Sequence, residues 1–94
     1  MQSGGEERLQ RAEVKWDRAD ARLSKVHEAL ERLEKRRAQL QKEMDAESPQ
    51  RQFDEIAIDL AIVEAAIATL QTHFEASFNE ARLRHDEFAE LRDI

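Results

Sequence analysis

Apolar residues recur through the first half of the chain at alternating steps of three and four: Leu9, Ala12, Trp16, Ala19, Leu23, Val26, Leu30, Leu33, Arg37, Leu40 and Met44. This is the spacing of a heptad seam, with Leu9, Trp16, Leu23, Leu30, Arg37 and Met44 at the a positions and Arg37 as its one charged member. A second seam runs Phe53, Ile56, Leu60, Val63, Ile67, Leu70, Phe74, Ser77, Ala81, Arg84, Phe88, Leu91. Beyond Phe74 the apolar residues are better followed as Phe74, Phe78, Ala81, His85, Phe88. The inserted step of four reads as a stutter, which predicts a locally straightened supercoil near Phe78.

The two seams are separated by Asp45-Ala46-Glu47-Ser48-Pro49. Ser48 suits an N-cap and Pro49 suits the first helical turn, where a missing N–H costs nothing. The residue before a proline is also pushed out of the helical region, so the first helix should stop by Ala46 or Glu47. The spacing predicts helix 1 over about 6–46, a turn at 46–48 and helix 2 over about 49–92. Residues 1–5 (Met-Gln-Ser-Gly-Gly) read as a flexible N-terminus and 6–94 as a single helical hairpin. A connection this short makes the helices antiparallel neighbours. The expected fold class is therefore all-α, an antiparallel two-helix coiled-coil hairpin.

Charge supports that pairing. In an antiparallel coiled coil the g positions of the two helices flank one another. Numbering the seams independently opposes Arg8–Glu87, Lys15–Glu80, Arg22–His73, Ala29–Ala66, Arg36–Asp59 and Glu43–Gln52. Three of these join opposite charges and none joins like charges, which specifies register more than it adds stability. The other flank is less tidy, since Glu34 would face Glu64. Arg37 is expected to pack its stem on the seam while its head reaches Asp59 or Glu55. Trp16, set between Ala12 and Ala19, is expected to fill space against Phe78 or Ala81.

The stretch Ile56–Leu70 is apolar nearly all the way round, with only Asp59 and Glu64 charged. Its seam faces helix 1. On the other side Ile58, Ala61, Ile62, Ala65, Ala68 and Thr69 remain, and Ile58, Ile62, Ala65 and Thr69 form a second stripe at 4-3-4 spacing. Burying each isoleucine would contribute about 1.5–3 kcal/mol. A contiguous apolar stripe left in water marks a binding face. The simplest cover is a second copy, giving a homodimeric four-helix bundle with helix 2 at the centre and a two-fold axis near Ile62 and Ala65. The alternative cover is a helix of a heterologous protein.

Composition narrows the function classes. The chain of 94 residues is 40% hydrophobic and 38% charged, with two Gly, one Pro, no Cys and no Tyr. Such a balance suits helices and leaves no strand signal, disulfide or thiolate chemistry. No apolar run reaches the roughly 18 residues of a membrane span. No basic segment followed by an apolar one opens the chain, so no signal peptide is read and a cytoplasmic location is expected.

The net charge of −6 is uneven: residues 1–46 hold eleven Lys/Arg and ten Asp/Glu, residues 47–94 four and eleven. The only basic patch lies in 25–42, where Arg32, Lys35, Arg36 and Lys42 would form a nucleic-acid face on helix 1. Three acids interleave it (Glu28, Glu31, Glu34) and no aromatic is placed for base stacking, so a solvated helix surface is the better reading. His27, His73 and His85 fit no metal-ligand spacing, and Ser24, Ser48 and Ser77 have no paired histidine in nucleophile geometry. His85, on the stuttered seam beside Asp86 and Glu87, is the histidine placed to act as a weak pH-sensitive element. No cofactor, metal or catalysis is expected. The expected function is that of a non-enzymatic structural or adaptor protein acting through helix–helix association; the alternative is a nucleic-acid-binding hairpin dimer.

Overall fold

The computed structural model describes residues 3–46 and 52–93. They form two helices, α1 (Ser3–Asp45) and α2 (Phe53–Asp93), packed against each other as a helical hairpin. α1 starts within the stretch read as flexible, and a Cβ added at Gly4 or Gly5 would meet nothing within 4 Å. α1 ends at Asp45, and beyond it the Ala46 N–H donates to the Glu43 carbonyl at 3.4 Å, a tightened last turn.

α2 begins at Phe53, later than the start near 49 read from Ser48 and Pro49, two residues that lie outside those described. The Gln52 carbonyl accepts from the Glu55 and Ile56 N–H groups at 3.1 and 3.2 Å. Asp54 and Glu55 occupy the first turn, where negative charge meets the positive end of the helix dipole. That acidic pair suits a helix opening at Phe53.

By packing the chain falls into two compact units, Met1–Val26 with His73–Ile94, and His27–Thr72. In the second, the seam buries branched aliphatics: Leu40 and Ile56 are fully covered, and Leu30, Val63 and Ile67 nearly so. Leu33, Arg37, Met44, Leu60 and Leu70 are half-buried, while the e positions Glu34 and Gln41 are exposed. Phe53, the first residue of α2, is the one seam position left open, at 57%.

In the first unit only Ala12, Ala19 and Ala81 are buried, and larger side chains (Leu9, Leu23, Phe74, Phe88, Leu91) are half-covered around them. The half-buried Trp16 lies 4.8 Å from the His85 ring, edge-on, and 5.3 Å from Phe88, ring centroid to ring centroid. Phe78, an expected neighbour of Trp16, instead stacks on Phe74 at 6.4 Å. Burial follows the unbroken heptad: Ser77 and Arg84 are half-buried, whereas Phe78 and His85 are exposed. Arg84 can hold a seam position because Glu87, one turn on, accepts from its Nη1 at 3.1 and 3.3 Å. An arginine stem packs as an apolar rod once its head is satisfied at the edge.

The same unit shows an inter-helix ion pair. Arg22 Nη2 donates to Glu80 Oε1 at 2.8 Å. Both residues are g positions, as expected, but Arg22 meets Glu80 instead of His73, one heptad further along α2. Side chains on a helix lean toward its N-terminus. On α1 that lean carries Arg22 and Trp16 toward higher numbers of the antiparallel α2, which accounts for both departures.

Candidate helix-docking surface

Each residue of the stripe predicted for α2 lies in the His27–Thr72 unit and is open to solvent. Ile58 is 61% and Ile62 62% exposed, and Ala61, Ala65, Ala68 and Thr69 are exposed with them. The heptad explains why: with Ile56, Val63 and Leu70 at d turned into the seam, Ile62 and Thr69 fall at c, Ile58 and Ala65 at f, and Ala61 and Ala68 at b. These three positions are the ones a two-helix pair leaves uncovered.

The threonines on this face turn their hydroxyls inward. Thr69 Oγ1 donates to the Ala65 carbonyl at 3.1 Å and Thr72 Oγ1 to that of Ala68 at 3.4 Å. Their hydrogen-bonding capacity is thus partly spent within the helix, as is usual for threonine in a helix interior. Thr72 was not singled out in the sequence; its signal was the f spacing Ile58, Ala65, Thr72. The face is therefore small and aliphatic, with two large side chains near one end and alanines between.

α1 presents a different surface in this unit. Lys25 belongs to the other unit, but Glu28, Arg32, Lys35, Arg36 and Lys42 are all exposed here, and so are Glu31 and Glu34. The His27 Nε2 lies 2.9 Å from Glu31 Oε1. The large hydrophobic residues exposed in this unit, Phe53, Ile58 and Ile62, are all on α2. In the other unit Val14, Phe78 and Leu83 are 45–54% exposed. Scattered apolar residues of that kind are ordinary on protein surfaces.

Two concave features lie in the Met1–Val26 and His73–Ile94 unit. A cleft of about 210 Å³ is lined by Arg8, Arg11, Ala12, Lys15, Glu87 and Leu91. Arg8 and Glu87, an expected pair, thus border one opening. A hollow of about 490 Å³ lies along one side of α1, between Glu7, Gln10, Arg11, Val14, Lys15 and Arg18. Neither lining contains a histidine, serine or threonine. Among the described residues no group of three or more His, Asp or Glu could hold a metal ion, and no helix is long and apolar enough to cross a membrane.

No protein-family model matches the chain, and comparison with curated proteins and with solved structures gives no match either.

Proposed function

We propose that the chain is a non-enzymatic adaptor that works by helix–helix association on the outer face of α2. The observation that carries this is the pair Ile58 and Ile62, more than half exposed on an alanine-rich face while the seam beside them is closed. Isoleucines contribute about 1.5–3 kcal/mol each when covered, and the small residues between them let a second backbone come close. Two occupants meet the need for apolar cover. A second copy would form a four-helix bundle, a homodimer with α2 at its centre. A helix of another protein would dock in the same place.

Ile62→Glu tests the face without touching the seam. The wild-type chain should associate, with itself by sedimentation velocity or with an amphipathic helical peptide by titration, and the variant should lose that association at unchanged helicity. A wild-type chain that stays monomeric and takes up no amphipathic peptide contradicts the proposal.

A second reading rests on the exposure of Arg32, Lys35, Arg36 and Lys42 along α1. It requires salt-dependent binding of structured RNA or duplex DNA that weakens when these residues become glutamate. Absence of binding at low salt removes it.

A further inference from the structure

The apolar stripe of α2 is bordered by charge of one sign. From Phe53 to Thr72 the helix carries Asp54, Glu55, Asp59 and Glu64, and no lysine or arginine. Asp54 and Glu55 stand at the N-terminal end of the stripe, at b and c. Asp59, at g, borders it on one side. Glu64, at e, lies on the other side past Ala61 and Ala68, whose short side chains leave it within reach. Asp54, Glu55 and Glu64 are exposed and Asp59 is half-buried.

This bears on which occupant the face takes. When two copies of this segment of α2 meet face to face, any charged residue that finds a charged neighbour across the contact finds an acid, whether the copies run parallel or antiparallel and whatever their register. The apolar stripe favours such a pair while its border opposes it. A helix with the same kind of stripe flanked by Lys or Arg keeps the apolar gain and turns each repulsion into an opposite-charge pair. Like-charge juxtaposition is a principal means by which interfaces reject wrong partners. The same acids repel an anionic lipid surface.

Resting on the helix-docking function proposed above, we infer that the outer face of α2 receives a basic amphipathic helix of a different protein. That helix carries aliphatic residues at three-four spacing, with lysine or arginine placed to meet the exposed Asp54, Glu55 and Glu64. It binds as other amphipathic helices bind grooves and faces: apolar anchors supply the affinity and flanking charges supply the choice of partner.

The test titrates the full-length chain with four synthetic helical peptides. Three share one leucine–alanine stripe and differ only in its flanking residues, Lys, Gln or Glu; the fourth has the composition of the Lys peptide in scrambled order. The Lys-flanked peptide should bind tightest and the Glu-flanked one weaker by about tenfold or more, with the gap closing as salt is raised. Ile62→Glu should abolish binding of the Lys-flanked peptide. The triple variant Asp54→Lys, Glu55→Lys, Glu64→Lys, all at exposed positions, should reverse the order of preference.

Equal binding of the three striped peptides overturns the choice of a basic partner and leaves the docking function standing. So does a chain that binds none of them but sediments as a dimer split by Ile62→Glu, which would make a second copy the occupant. Equal binding of the scrambled peptide overturns the inference, because attraction alone would then suffice. A monomer that binds no peptide overturns both the inference and the docking function.

Discussion

Trp16 and Arg22 owe their neighbours to the direction in which helical side chains lean. Heptad numbering says which face a residue occupies, and on that count both are where the sequence put them. It does not say how far along the partner helix the side chain lands. Trp16 therefore meets His85 and Phe88, and Arg22 meets Glu80. The Trp16 ring is the largest side chain half-buried in a unit whose buried residues are alanines. Trp16→Ala should lower stability by about 2 kcal/mol, below the range for fully buried rings because part of this one is already wet; urea unfolding followed by circular dichroism measures it. The Arg22–Glu80 pair is 59% and 36% exposed at its side chains. A double-mutant cycle with Arg22→Ala and Glu80→Ala should give a coupling of about 0.2–1 kcal/mol that shrinks at high salt.

Among the elements, the alternating three-four spacing was enough to specify both helices and every buried position among the described residues. All eleven α1 seam residues, Arg37 included, are buried or half-buried. Two features of α2 were not legible in this way. The spacing of Phe78 and His85 invited a stutter, yet Arg84 stays on the seam because Glu87 accepts from its guanidinium. A hydrophobic pattern ranks residues by type and cannot see a charge that its own neighbour neutralises. The start of α2 was placed at a proline by cap preferences, whereas the helix opens at Phe53 with acids in its first turn.

The two faces of α2 should respond oppositely to mutation. Ile56 is fully buried and Ile62 is 62% exposed. Ile56→Ala should cost about 2–5 kcal/mol, while Ile62→Ala should change the unfolding free energy of the isolated chain by less than about 0.5 kcal/mol. Thermal and denaturant unfolding of the two variants side by side would show whether the seam and the docking face are separate.

On the scale of the whole molecule, the hairpin divides its surfaces by chemistry. In the His27–Thr72 unit α1 turns outward a mixture of Lys, Arg and Glu, while α2 turns outward isoleucine, alanine and threonine bordered by acids. The exposed apolar stripe on α2 was legible in the sequence, because periodicity counts the apolar residues that one seam can absorb and Ile58 and Ile62 exceed it. What the proposed docking would bring to it was not legible from periodicity, which marks an apolar face without saying what covers it. The sequence pattern favoured a second copy; the charge on the border of the face favours a basic helix from elsewhere.

If the proposed docking holds, Ile58 and Ile62 receive a helix while the seam stays closed. Methyl NMR of the isoleucine-labelled full-length chain, titrated with the Lys-flanked helical peptide, reads this residue by residue. Large chemical-shift changes are expected at Ile58 and Ile62 and small ones at the buried Ile56 and Ile67. Changes centred on Ile56 and Ile67, or none at any isoleucine, would contradict the proposed docking.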